Sequence, residues 1–588
     1  MKNYKLTELK NANKKGFRLI IKQFLPYKKE IGMILILVLI STLASVYIPQ
    51  LLESAIDNDI ANNDIPALQT TIIKFAIAIV IFFITFMLQN RATGILGQKV
   101  LFKLRAQIFK KLQELPLAFF TQNNSGDIII RISGNVEGIN RFLSEGLIRS
   151  VNIFFALIGY TIFMMLINVS LALVVFVSGI IFILFLLFQG RVLEKRQKEV
   201  LNAEGEVSSQ AQEIFNGFQL IKIYEKEAEF AKRFQLKNEF YYKKAVRTAY
   251  INALADGFQP LLTIAAGLSV LLISFSLYSQ GELTQGAVIA FFAYVTLFFR
   301  RFDGIANLWS NIQNGLASAE RINELLELET DIVNREARYL PKAVDVKGEV
   351  EFKDVVFTYE DNEIVLDNIN LHIKPGRTVA VVGPTGGGKT SFVSLIARLY
   401  DAKSGSIKID KHDVKDWDLY TLRESIGYLI QDAIFFEDTI ANNLAYDNPE
   451  ITKEQIYTTL EQLGIKDYID SLPLKLNTII SSSNNSISQG QKQILALARL
   501  LLRDPKIIIL DEATANIDTK TEKLIQKAID VVRKGKTTFI IAHRLSTIVN
   551  ADDIILIQNN KILESGTHQE LIAKKGMYFE IYSKFAAK

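Results

Sequence analysis

Residues 378–390 read Thr-Val-Ala-Val-Val-Gly-Pro-Thr-Gly-Gly-Gly-Lys-Thr, an apolar β-branched run that breaks into a glycine-rich turn. The run predicts a buried strand, and an apolar helical pattern starts at Ser391. Between them lie Gly383, Pro384, Thr385, Gly386, Gly387, Gly388, Lys389 and Thr390, a complete phosphate-binding loop. Its glycines let backbone N–H groups turn toward phosphate oxygens, and the following helix adds its positive end. Lys389 is placed to neutralise β- and γ-phosphates, and the Thr390 hydroxyl suits Mg²⁺.

Working outward, Thr378 to Val382, Ile507 to Leu510 and Thr538 to Ile541 read as buried parallel strands, and Glu349 to Lys353 alternates as a half-buried one. Helical stretches separate them, as in an α/β sheet. The run Ile507-Ile508-Ile509-Leu510 delivers two carboxylates, Asp511 and Glu512, at the strand end where such sheets bind ligands. Asp511 suits the Mg²⁺ shell, and Glu512 suits a general base toward an attacking water.

The first half of the chain is different. No charge falls between Glu30 and Glu53, and a shorter apolar run lies between Lys74 and Arg91, extended upstream by Ile65 to Ile73. Val151 to Gly190 is uncharged, long enough for two spans joined at Asn168-Val169-Ser170. Gly257 to Gln280, with Pro260, and Leu283 to Phe299 complete six, each near the roughly 20 residues that cross about 30 Å of hydrocarbon. The connection holding Glu53, Asp57, Asp59 and Asp64 has no Lys or Arg, whereas the N-terminal arm and segments 91–149 and 191–255 are basic. That asymmetry puts both termini on the cytoplasmic side. Nine Lys or Arg in the first thirty residues, with no h-region, read as a basic arm and not as a signal peptide. The two basic segments read as long polar helices with breakers at Asn123-Asn124-Ser125-Gly126-Asp127 and Asn216-Gly217. The expected fold is a membrane all-α six-helix domain over residues 1–325, a linker over 326–345, and a cytoplasmic α/β P-loop nucleotide-binding domain over 346–588. Apolar residues make up 49% and mean hydropathy is +0.19, which fits that division. A net charge of +5 spread over 588 residues argues for no nucleic-acid partner, and the absence of Cys excludes disulfides and thiolate metal sites.

One more motif, Ile487-Ser488-Gln489-Gly490-Gln491, precedes a helical stretch, Lys492 to Leu502, and lies about twenty residues before Asp511. Its order and spacing resemble the signature of ATP-binding-cassette (ABC) proteins, usually Leu-Ser-Gly-Gly-Gln. The resemblance implies ATP and Mg²⁺ as cofactors. It implies Ser488, Gly490 and Gln491 as contacts to a nucleotide on the opposite subunit, Tyr359 as the aromatic that stacks on adenine, and Gln431 as the residue that senses Mg²⁺ and water. It also implies Asp518 in the D-loop and His543 as the switch histidine near the γ-phosphate. The six spans, the inward arms and the segment Gly315 to Leu328 look like exporters whose half-subunit fuses one membrane domain to one cassette, with coupling helices at Ser125-Gly126-Asp127 and near Gly217.

Two features depart from the pattern. Gln489 stands where Gly is usual, and Ile479 to Asn485 lacks the Glu common there. With Lys389, Asp511, Glu512 and His543 kept, this resembles the half of heterodimeric bacterial exporters that retains competent Walker motifs; a homodimer is the alternative. The function so implied is ATP-driven export of an amphipathic drug or lipid across the cytoplasmic membrane, the rival being an ATP-gated channel or regulator. Asp256, Arg300 and Arg301 are candidate cavity residues for an unknown cargo.

Overall fold

The computed structural model describes residues 13–302, 305–330, 332, 339, 341, 345–359, 363–431, 433–446, 448–481, 487–511, 519–542 and 545–586. The chain divides into two compact units. The helices through Glu327, apart from Glu114–Asn124, form one; Glu114–Asn124 belong with residues from Leu328 onward in the other.

In the helical unit α1 (Asn13–Phe24) leads into α2 (Lys28–Ser54), and α3 (Ile65–Glu114) runs 50 residues without a break. At its end α4 (Leu117–Gln122) is a short helix, and α5 (Ser125–Ile132) and α6 (Gly134–Arg141) lead back. Thus Ser125-Gly126-Asp127 open the returning helix, and the short helix at this tip precedes them. A π-helical turn, Phe142–Ile148, feeds α7 (Arg149–Ile167). Asn168 then breaks the chain alone, its Oδ1 accepting from Leu171 N at 3.1 Å as the N-cap of α8 (Val169–Asn216). A second short helix, α9 (Phe218–Ile223), precedes α10 (Glu227–Ser279), α11 (Gln285–Arg300) and α12 (Ile305–Glu327). Among the described residues five stretches are long and apolar enough to cross a membrane, and α11 is a shorter apolar helix. Several polar side chains inside the bundle pair with one another or with the backbone, since hydrocarbon offers no partner. Tyr294 Oη donates to Val46 O at 2.7 Å, Ser45 Oγ and Tyr160 Oη lie 2.6 Å apart, and Arg301 donates to Tyr160 Oη and Asn152 Oδ1.

Among the described residues the second unit holds three sheets. Strands β1 (Val350–Thr358), β2 (Ile364–Ile373), β4 (Ser404–Ile409) and β5 (His412–Asp413) form an antiparallel sheet in the order β2-β1-β4-β5. Strands β3 (Thr378–Val382), β6 (Ile426–Leu429), β9 (Ile507–Asp511), β10 (Thr537–Ile541), β11 (Asp553–Gln558) and β12 (Lys561–Gly566) make the second, ordered β12-β11-β3-β10-β9-β6. A two-stranded ribbon joins β7 (Asp438–Thr439) to β8 (Ile479–Ile480). All but β12 run parallel in the second sheet, and β3 and β10 are buried throughout, as uninterrupted apolar runs require.

Asp410 pins the chain where it enters β1. Its carboxylate accepts from the backbone N–H of Lys347 (2.7 Å), Gly348 (3.1 Å) and Glu349 (2.9 Å), while its own backbone sits at φ 49°. Three backbone donors to one carboxylate are worth about 2–3 kcal/mol together at a half-exposed site. Asp410→Ala should therefore lower the melting temperature of this domain by about 5–10 °C in a thermal scan of the solubilised protein, with Asp410→Asn between the two.

Candidate nucleotide site and membrane cavity

The phosphate loop begins where β3 ends, and its helix, α13 (Lys389–Ile396), starts two residues earlier than the sequence pattern indicates. Left-handed glycines turn the backbone: Gly388 has φ 92°, with Val365 O and Leu366 against the position of a Cβ. At Gly386, φ 79°, nothing lies within 4 Å of that position, so a ligand can approach the bare backbone. Lys389 Nζ donates to the carbonyl oxygens of Gly383 and Pro384, both at 2.9 Å, which holds the cation at the mouth of the loop. Burial pushes the Lys389 ammonium below its ordinary pKa, and the nearby Asp511 carboxylate acts in the opposite sense. Thr390 is exposed; Ser391 is buried.

Parallel register brings the other strands to the same edge. Ile541 lies opposite Asp511 and Val381, and Leu429 opposite Leu510, so exposed Gln431 follows the strand next to Asp511. Tyr359 Oη is 2.7 Å from Ser391 Oγ, and its ring meets Tyr400 edge-on at 5.3 Å and Phe357 at 4.9 Å. Tyr400 and Tyr428 were not singled out by sequence. Burial raises the pKa of each; Tyr400 bonds Thr121 of α4, and Tyr428 bonds Ser394 of α13. Nothing in the spacing marks Tyr400, 41 positions from Tyr359, as part of the aromatic shelf. Glu512, Asp518 and His543 lie outside the described residues, as do 482–486 ahead of the signature.

The signature helix runs Gln489–Arg503, beginning three residues before the expected start, with Ser488 as N-cap. Ser488 Oγ accepts from Gln491 N (3.3 Å) and Gln491 Oε1 from Ser488 N (2.7 Å), a closed capping box. Gln489 at the first helical position is exposed and Gly490 is buried, so the amide side chain leaves the cap intact. Among the described residues no hydrogen bond joins this turn to the phosphate loop.

A cavity of about 330 Å³ opens in the helical unit between α3, the π-helical turn, α7 and the end of α11. Gln89, Thr93, Arg149, Asn152, Arg300 and Arg301 line it, beside Phe86 and Ile153. Gln89 Oε1 and Thr93 Oγ1 are buried without a hydrogen-bond partner, and Arg149 and Arg300 make no ion pair among the described residues. The Asp256 side chain is outside the described residues.

Residues 31–302 match the ABC transporter transmembrane region, and residues 366–515 match the ABC transporter family. A fatty acid ABC transporter ATP-binding/permease protein of Mycobacterium tuberculosis is 32% identical over 84% of this chain and 78% of its own length. A putative multidrug export ATP-binding/permease protein of Staphylococcus aureus is 34% identical over 96% and 99%. The structure of a bacterial Atm1-family ABC exporter with ATP bound superposes with a TM-score of 0.79 at 25% identity, covering 95% of this chain and 99% of that one. Both matched regions lie on one polypeptide, and the two relatives align over 84% and 96% of it. The chain therefore belongs to the ABC transporters, as a multi-pass membrane protein whose ATPase is coupled to transport.

Proposed function

We propose that this chain is one half of an exporter that moves amphipathic, drug- or lipid-like molecules out of the cytoplasm, with both termini cytoplasmic. The observation that carries the cargo class is the 330 Å³ cavity, where unpaired polar atoms of Gln89 and Thr93 and the cations Arg149 and Arg300 stand beside Phe86 and Ile153. Such a wall takes an apolar body and a strongly polar or acidic head. The names of the relatives, one for fatty acids and one for multidrug export, agree with that class.

At the nucleotide, the loop N–H groups and Lys389 hold phosphate, and the Tyr359–Tyr400 shelf orients the base. The exposed Thr390 hydroxyl, Asp511 and Gln431 form a set of hard oxygen donors that fits Mg²⁺. When bound there, Mg²⁺ supplies charge neutralisation on the phosphates. Glu512 takes the proton of the attacking water, and His543 steadies the γ-phosphate. Retention of both residues supports repeated turnover over an ATP-gated pore.

One chain supplies one phosphate loop and one signature, so two halves make a working unit. The tip of the second arm supports this, since Phe215, Phe218, Leu220, Ile223 and Tyr224 are all exposed there. Gln489 supports a partner of different sequence: its amide projects from the turn that faces the partner's nucleotide. The intact capping box limits that effect to the side chain.

Three outcomes follow. Glu512→Gln should retain ATP binding while ATP hydrolysis and vesicle transport slow by at least ~100-fold; full activity would place the base elsewhere, and transport surviving without hydrolysis would favour the gated pore. Arg149→Ala with Arg300→Ala should raise the half-saturating concentration of an acidic amphiphile about tenfold in a cargo-stimulated ATPase assay, the loss of a charged hydrogen bond. In an assembly purified with its native partner, nucleotide trapping should find one ATP held and one turning over. Equal hydrolysis at two sites in a dimer of this chain alone would overturn the asymmetric pairing.

A further inference from the structure

The amphipathic helix α1 has two apolar faces, and only one is satisfied by the bundle. Gly16, Leu19, Ile20, Gln23 and Phe24 are buried, and α1 lies so close to α12 that a side chain at Gly16 would collide with the carbonyl of Leu316. The helix is therefore fixed in place. Yet Phe17, Ile21 and Leu25, at i, i+4 and i+8, are 50%, 47% and 67% exposed. Basic residues border that stripe: Arg18, Lys22, Lys28 and Lys29, of which the three lysines are exposed and make no ion pair among the described residues. A bare apolar stripe bordered by Lys and Arg is the pattern of a helix lying in an anionic membrane interface.

Beneath the stripe is a cavity of about 150 Å³ with a wholly apolar lining. Phe17 and Ile21 of α1, Ile31 and Leu35 of α2, and Leu143 and Leu147 of the π-helical turn form its walls. Phe17, Ile21, Leu35 and Leu147 are also partly exposed, so hydrocarbon can enter from outside the bundle. Apolar cavities of this size stay dry and accept hydrocarbon. Ile31 and Leu35 belong to the first turns of the first apolar span, and Lys28 and Lys29 come one turn earlier, at about 1.5 Å rise per residue. Headgroup charge and chain depth thus match one lipid molecule.

We propose that α1, the start of α2 and the π-helical turn Phe142–Ile148 bind one anionic phospholipid of the leaflet on the side of α1. One acyl chain fills the apolar cavity, and the phosphate lies over Lys22, Lys28 and Lys29. The site is separate from the cargo cavity but shares the π-helical turn with it: Leu143 and Leu147 face the lipid, while Ser144 and Glu145 line the other cavity. π-Helical turns of this kind recur at functional sites. The lipid is a resident ligand, and its binding is independent of which cargo is exported.

The full-length protein, delipidated in detergent, is titrated with phosphatidylglycerol or phosphatidylcholine, and bound lipid is counted by native mass spectrometry without nucleotide. One phosphatidylglycerol per chain should bind at least about tenfold more tightly than phosphatidylcholine, since each lysine near such a surface strengthens anion binding several-fold. Lys22→Gln with Lys28→Gln and Lys29→Gln should abolish that preference. Ile21→Trp, which fills the cavity and keeps every charge, should weaken phosphatidylglycerol binding at least about tenfold. Leu35→Trp replaces it if its melting temperature falls. Equal binding of the two lipids, or unchanged phosphatidylglycerol binding in a folded cavity-filled variant, would overturn the site.

Discussion

The nucleotide site depends on the parallel pairing of β3, β10 and β9. Parallel strands all point their C-terminal ends to one edge, so the residues that follow them converge there. With Ile541 opposite both Val381 and Asp511, the phosphate loop after Val382 and the carboxylate that ends β9 must share that edge. Val379, Ile509 and Phe539 are fully buried in this sheet, and a slip of one residue would carry Asp511 out of step with the loop that follows Val382, so the register fixes the site. Arg377 reinforces it from the opposite end, clamping Asp553 at the start of β11 through Nε (2.8 Å) and Nη2 (2.7 Å).

Around that edge the chain uses side chains from distant segments. Tyr359 precedes the loop by two dozen residues, Tyr400 follows it, and Thr121 comes from the tip of the first helical arm. Their contacts tie the aromatic shelf to Ser391 of α13 and to α4 within one compact unit. Thr121 belongs to a segment covalently continuous with the 50-residue helix α3.

In the helical unit the π-helical turn Phe142–Ile148 has a comparable place. It is packed by α12, where Gly315 lies against Phe142, and it borders a polar cavity on one side and an apolar one on the other. Glu145 and Leu147, two positions apart, project to roughly opposite sides of the helix and so serve opposite surroundings.

Much of this was legible in the sequence because the signals are local. Charge-free runs of spanning length marked the membrane helices, and a single Asn168 sufficed to divide α7 from α8 because its side chain caps the next helix. The turn from Gly383 to Thr390 between strand and helix was legible through residue type and spacing alone, and the place of Asp511 followed from its strand. Sequence fixed element ends less well: α13 and the signature helix start earlier than expected, since Lys389 and Gln489 are held by the turn before them and not by apolar periodicity. The tip helix Leu117–Gln122 was missed in favour of the polar breaker after it. Tertiary structure alone decided that Tyr400 and Tyr428 join Tyr359, that Gln489 leaves the capping box closed, and that Gln89 Oε1 and Thr93 Oγ1 lie at a cavity without hydrogen-bond partners among the described residues. These depend on packing between segments far apart in the chain, which no local spacing encodes.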